Sequence, residues 1–423
     1  MKYGLLYYKD TDNIGDDIQT YAGKRFLPHI DYYIDREKLN CFIPHKKEYV
    51  SVIMNAWFIH NKIAWPPSPY INPLLHSMHF TSLENVDVGD KYLQNIGGEY
   101  LKKYQPIGAR DMESQNRLEK NGIQAYFSGC MTLTINKFEN IEKKDKVCLV
   151  DVSEEIVNKV KQSTNLEVEV LSHKVEPEEI SKKDFLKRME DVEKILKKYQ
   201  ESKIVITSRI HVALPCIALE TPVILIHKKI YEKDRLDSFL GFMQNYVDTD
   251  FLDLDITEIL NNPRPNKDEY LEIRNRLVKR CEEFVAECEN NNYNIEDLPD
   301  IDDYYNNYVS RIDWYRGLHE ETYLKSKKMV FYYEDIIKHL NEIINSNDKI
   351  KNEFEERQKM KENEIKELKN IIEQNQKDKE DLQNQKNAIL TQLNQVSTEL
   401  DQVYNSKGWK FLERLRSIKK RNK

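Results

Sequence analysis

Short apolar runs rich in β-branched residues alternate with amphipathic stretches of helical period along the first 270 residues. That alternation constrains the fold more than any other feature. Tyr3–Tyr8 reads as a strand, and the stretch from about Asp17 to Phe26 as a helix. Tyr49–Asn55 is a second strand. Pro106–Asp111 ends a strand and opens a helix that runs to about Asn121. From about Lys146 the pattern repeats. Strands are expected at Val147–Val152, Glu167–Leu171, Ile204–Thr207 and Pro222–His227, with helices at Glu154–Gln162, Lys183–Tyr199 and His211–Leu219. Strand and helix in alternation imply a parallel sheet covered on both faces. Two such units in series predict an α/β chain. Its two doubly wound, Rossmann-like domains, 1–145 and 146–265, would face each other across a cleft. Ligands of open α/β sheets sit beyond the carboxyl ends of the strands, so chemistry is expected in the loops after strands.

The rest of the chain is of different material. Residues 266–345 read as helical, with Tyr304, Tyr305, Tyr308, Tyr315, Tyr323, Tyr332 and Tyr333 interleaved, and are expected to pack against the body. In 346–403 apolar residues fall at 365, 368, 372, 382, 389, 393, 396, 400 and 403, one unbroken 3,4 alternation. Asn375, Lys379 and Lys386 fill the remaining seam positions, and no proline or glycine interrupts the run. This predicts a coiled coil with a polar middle and a homo-oligomer formed through it. The segment 404–423 holds eight Lys/Arg against one Glu, with Trp409, Leu412, Leu415 and Ile418 at helical spacing. A basic amphipathic helix of this kind suits an anionic membrane surface.

Composition narrows the classes further. The net charge of −7 disfavours nucleic acid as a partner. The apolar start Tyr3–Tyr8 turns polar at Lys9, too short for a signal peptide, and no stretch approaches the roughly 18 apolar residues of a membrane span. The expected location is cytoplasmic, peripheral at the inner face of the membrane. Six cysteines, at 41, 130, 148, 216, 281 and 288, form no Cys-x-x-Cys pair and mostly lie in apolar segments, which argues for packing over zinc or disulfides.

Three loops carry candidate chemistry. In Asn13-Ile14-Gly15-Asp16-Asp17, Gly15 permits a tight turn or a close ligand approach. Asp16 or Asp17 can cap the following helix, whose exposed N–H groups could take an anion. In Gly108-Ala109-Arg110-Asp111, Arg110 offers a bidentate guanidinium at a strand-to-helix junction, or pairs with Asp111 or Glu113. The third loop is the strongest. The strand Ile204–Thr207 delivers Ser208-Arg209-Ile210-His211 straight into an apolar helix, and Arg209 and His211 are the only basic or acidic residues between Lys203 and Glu220, Cys216 being the one other ionisable group. A cation and an imidazole at a helix N-terminus favour an anion, and His211 can move a proton near neutral pH.

The order and separation of Asn13-Ile14-Gly15-Asp16, Gly108-Ala109-Arg110-Asp111 and Thr207-Ser208-Arg209-Ile210-His211, followed by Thr221-Pro222-Val223-Ile224, resemble the polysaccharide pyruvyl transferase family over roughly residues 1–270. The resemblance implies a two-domain fold like that of GT-B glycosyltransferases. It also implies transfer of pyruvate, as a ketal, from phosphoenolpyruvate to a sugar of a bacterial surface polysaccharide or its precursor. The donor is then a co-substrate, with no metal and no other cofactor required, and the acceptor a sugar or lipid-linked glycan. Carried over onto matching positions, Arg110, Arg209, Ile210 and His211 hold the donor, and the two arginines and His211 are the catalytic set. Asn13, Gly15, Asp16, Asp17, Trp57, His60 and His173 are acceptor or cleft candidates by location. Trp57 either stacks on a sugar or packs. The sequence departs from the family in having Met54–His60 where a glycine-rich turn is usual, and in lacking an Asp-Pro pair near Phe127–Thr132. A nucleotide-sugar glycosyltransferase of similar architecture and a membrane-tethered scaffold are the competing readings.

Overall fold

The computed structural model describes residues 1–58, 64–80, 92–175, 184–228, 233–314, 317, 325–326, 328–329, 332–333 and 351–405. Met1–Glu321 form one compact unit and Thr322–Lys423 a second. His60, Tyr315, Tyr323 and the segment 406–423 lie outside the described residues.

Two parallel sheets organise the first unit. Strands β1 (Lys2–Tyr7), β2 (Tyr32–Asp35), β3 (Val50–Ile53) and β4 (Ile71–Leu74) form a sheet in the order β2-β1-β3-β4. Strands β5 (Ile107–Ala109) and β6 (Ala125–Phe127) pair beside it, linked through a bridge from Met78 to Ala109. Strands β7 (Lys144–Val150), β8 (Glu167–Leu171), β9 (Ser202–Thr207), β10 (Val223–His227) and β11 (Gln244–Val247) form the second sheet, in the order β11-β10-β9-β7-β8. Every strand pair is parallel. This is the α/β architecture that the alternation predicts. Each sheet reverses its winding once, between β1 and β3 and between β7 and β9. Ligand crevices open outside the carboxyl ends of strands at such switch points.

Several boundaries differ from the sequence reading. The first helix spans Ile14–Lys24 and begins before Asp17, because Asn13 is its cap: the side chain of Asn13 accepts from the Gly15 N–H at 3.0 Å. Neither Asp16 nor Asp17 caps it. Strand β4 contains Pro73, opposite Val52, which is tolerated because β4 is an edge strand.

The two sheets share packing. One core cluster joins Tyr3 and Ile18 from the first half to Val205 and Leu214 from the second, and to Leu277 and Phe284 of the helix Tyr270–Asn290. That helix buries Tyr270, Ile273, Leu277, Cys281, Phe284 and Cys288, one stripe at three- and four-residue spacing. Arg274 donates to the Ile135 carbonyl at 2.8 Å, and Tyr304 to the Asn40 carbonyl at 2.6 Å. The described part of the helical region therefore packs on the body. The second unit contains a continuous helix, Lys351–Asn405. Among the described residues, no helix is long and apolar enough to cross a membrane.

Candidate active site

A cavity of about 450 Å³ opens beyond the carboxyl ends of the strands of both sheets. Asn13 and Asp16 enter it after β1, Trp57 after β3 and Arg110 after β5. Asp151 follows β7, His173 follows β8, Arg209, Ile210 and His211 follow β9, and His227 and Lys228 close β10. The winding topology brings these loops together from positions more than 200 residues apart.

Arg209 sits at the N-cap position of the helix Ile210–Ala218, but its side chain makes no capping bond. Its backbone N–H donates to the Thr207 hydroxyl at 2.9 Å, and its Nε donates to Asp151 Oδ2 at 2.8 Å. Asp151 also accepts from the Ser172 hydroxyl at 2.7 Å and the His173 N–H at 3.2 Å. Burial pushes the Asp151 carboxyl up, but these donors and the Arg209 guanidinium outweigh it and hold the group below its ordinary value. Asp151 has a left-handed φ of 51°, a strained conformation for a residue with a Cβ. Such strain is held only where the surroundings over-determine it, here by three hydrogen bonds on one carboxylate.

His173 is fully buried. Its Nε2 lies 2.7 Å from the Tyr199 hydroxyl, and its Nδ1 has no hydrogen-bond partner. Burial lowers its pKa to about 4, with Arg209 acting in the same direction and Asp151 opposing, so the ring is neutral at pH 7. Its carbonyl accepts from the Ile14 N–H at 2.9 Å, and Val175 N–H donates to the Asp12 carbonyl at 2.8 Å. These two bonds tie the loop after β1 to the loop after β8, so the halves of the cavity are joined by backbone.

Arg110 rests on a second buried cluster. Asp111 caps the helix Met112–Lys120 by accepting from the Ser114 N–H at 2.9 Å, takes the His79 ring at 2.5 Å, and receives Arg110 Nε at 3.4 Å. Burial opposes ionisation of Asp111, yet His79 and Arg110 hold its carboxyl well below the usual range. The Trp57 ring lies 5.8 Å from that of His79, so Trp57 both lines the cavity and packs on this cluster.

Two glycines beside these loops are closely approached, Gly15 tightly and Gly108 too closely for a Cβ. A Cβ on Gly15 would meet the His211 Cβ and Nδ1 at 3.1 Å. A Cβ on Gly108 would stand 2.3 Å from His76 Nδ1, which the Tyr126 hydroxyl holds at 3.0 Å. Gly108→Ala is therefore expected to destabilise the protein by about 1–3 kcal/mol through overpacking, and to displace Arg110 two residues on. Thermal denaturation together with ligand titration checks both effects.

The structure thus brings together Asn13, Asp16, Trp57, Arg110, His173, Arg209, Ile210 and His211, with Gly15 against His211. Asp17 is not among them: its carboxylate is buried in a two-pronged ion pair with Arg188, at 2.6 and 3.0 Å. It joins the first helix to the helix Phe185–Glu201 instead of facing a ligand. Sequence reasoning missed Asp151, His227, Lys228, Asp248 and the supporting His79. The rule that chemistry follows strand ends would have found Asp151 had the strand before it been ended at Val150, and it points to His227 and Lys228 at the end of β10, which was drawn correctly.

No curated protein matches the chain. Among solved structures, an uncharacterized protein from Klebsiella pneumoniae is 14% identical with a TM-score of 0.35, covering 56% of this chain and 88% of its own. The UDP-GlcNAc 2-epimerase of Methanocaldococcus jannaschii, solved with UDP-GlcNAc and UDP, is 12% identical with a TM-score of 0.38, covering 69% of this chain and all of its own. MnaA of S. aureus, solved with UDP, is 10% identical with a TM-score of 0.36, covering 68% and 96%. The sequence model described as polysaccharide pyruvyl transferase matches residues 13–226, half of the chain, from the Asn13 cap to the last strand residue before His227. With that match spanning the loops that carry Arg110, Arg209 and His211, the chain belongs to the polysaccharide pyruvyl transferase family.

Proposed function

We propose that the cavity binds phosphoenolpyruvate and transfers its pyruvate as a ketal to a sugar of a bacterial surface polysaccharide or its precursor. The observation that carries this reading is the meeting of Arg110, from after β5, with Arg209 and His211, from after β9, in one cavity of a family member. The donor carries a carboxylate and a phosphate. Two guanidiniums on separate loops and the start of the helix Ile210–Ala218 supply fixed positive charge for both. Each guanidinium is oriented by a carboxylate, Arg110 by the buried Asp111 and Arg209 by the half-buried Asp151, so little side-chain freedom is lost when the donor binds.

The reaction balances as follows. The methylene carbon of the donor takes a proton from His211 and becomes a methyl group, leaving an oxocarbenium-like carbon. One sugar hydroxyl adds to that carbon. The carbon–oxygen bond to phosphate then breaks, its electron pair leaving with the phosphate, and a second hydroxyl closes the ketal. Of the two hydroxyl protons released, one replaces the proton that His211 gave and the other goes to solvent. The arginines hold the departing phosphate. Neutral His173 offers a hydrogen bond through Nδ1 on the same cavity wall.

Calorimetric titration with phosphoenolpyruvate tests the donor. Saturable binding is expected for the wild type, weakened roughly 10- to 100-fold in Arg209→Ala, as for loss of a charged hydrogen bond. Retained binding in Arg209→Ala would sink the assignment. Binding of a nucleotide sugar without any phosphoenolpyruvate binding would favour a glycosyltransferase.

A further inference from the structure

The helix Lys351–Asn405 is about 80 Å long and presents apolar residues with nothing described against them. Ile365, Ile372 and Leu382 of its heptad seam are 44%, 48% and 48% exposed. The seam has an internal symmetry. Apolar positions 365, 368 and 372 on one side, and 389, 393 and 396 (continuing to 400 and 403) on the other, flank a middle that contains Asn375, Lys379 and Lys386. We infer that this helix pairs antiparallel with the same helix of a second copy of the chain.

The argument lies in what each orientation sets face to face. In a parallel, in-register pair, Lys379 meets Lys379 of the second copy and Lys386 meets Lys386. Like charges then oppose one another twice in the seam. In an antiparallel pair centred between positions 380 and 381, Ile372 faces Ile389, Leu368 faces Leu393 and Ile365 faces Val396 of the second copy. Asn375 then faces Lys386, and Lys379 faces Leu382, whose neighbourhood lets the long lysine stem lie along apolar surface with its ammonium in water. No two lysines oppose each other. A slip of one heptad in one direction gives up apolar layers. In the other it keeps the apolar layers but leaves Asn375 facing Leu393 instead of Lys386 and brings Lys379 against Ile389, so the polar pair at the middle is lost; both registers are antiparallel. Polar seam residues are known to fix orientation and register in this way.

Spin labels on the full-length chain read the orientation directly. Five of the six cysteines are buried, so Cys41→Ser gives a background in which Lys366→Cys or Glu380→Cys is labelled alone. Sedimentation should give a dimer. In that dimer, labels at 366 should lie about 45 Å apart, from the helical rise of 1.5 Å per residue. Labels at 380 should lie under about 20 Å apart, one helix–helix spacing plus the label arms. A monomer, or short distances at both positions, would overturn the inference.

Discussion

Asp111→Ala is expected to destabilise the first unit by about 3–5 kcal/mol and to remove phosphoenolpyruvate binding together with it. The carboxylate is completely buried and serves three groups at once: the Ser114 N–H, the His79 ring and Arg110. Its removal leaves a buried guanidinium and a buried imidazole without their counter-charge, and leaves the helix Met112–Lys120 without its cap. Arg110 then loses the contact that aims it into the cavity. Asp111→Asn separates the two effects. The amide oxygen can still accept from Ser114, so part of the stability should return while donor binding stays weak. Thermal denaturation and calorimetry on both variants check this, and an unchanged melting temperature in Asp111→Ala would refute it. The same cluster gives the wild type an acid dependence with a definite sign. The folded carboxyl is held below its unfolded value. Its contribution is therefore complete above the unfolded pKa of about 4 and is lost as pH falls towards the folded value.

That Arg110 would stand at the cavity was legible in the sequence; that Asp111 and His79 hold it was only half so. The Gly108-Ala109-Arg110-Asp111 motif is local, and its strand-to-helix position follows from hydrophobic pattern. His79 follows β4, a strand hidden by Pro73, and it reaches Asp111 only through tertiary packing. Asp151 was concealed by a boundary. With the strand read as far as Val152, Asp151 counted as a strand residue, whereas β7 ends at Val150 and Asp151 turns into the left-handed region to face Arg209. Asp17 shows the opposite failure. Beside Gly15 and Asp16 it looks like a ligand or cap, and nothing local reveals that Arg188, 171 residues away, takes its carboxylate. Periodicity reveals which segments pair into sheets and which ends carry loops. It does not reveal which of two adjacent carboxylates turns inward, because that depends on a partner brought by the fold.

His211→Ala should lower kcat by about 10²- to 10⁴-fold, the usual contribution of a positioned acid or base, while changing the dissociation constant for phosphoenolpyruvate by only a few-fold. The reasoning rests on the division of labour in the cavity. On the proposed reading the arginines carry the charge that binds the donor, whereas His211 lies in the first turn of the helix Ile210–Ala218, packed against Gly15 at the start of another helix. The reaction needs a proton delivered to the donor's methylene carbon, and of the two other imidazoles on the cavity wall, His173 and His227, the buried His173 cannot supply it. Burial lowers the pKa of His173 to about 4, so its ring is neutral at pH 7. The proton can be followed. In D2O the wild-type product should carry one deuterium in the ketal methyl group, at a rate matching phosphate release. Both rates should fall together in His211→Ala and in His211→Gln, since glutamine keeps a polar side chain but has no proton to give at neutral pH. A His211→Gln variant within about threefold of the wild-type kcat would mean that the proton comes from elsewhere, and His227, on the same wall, would become the next residue to change.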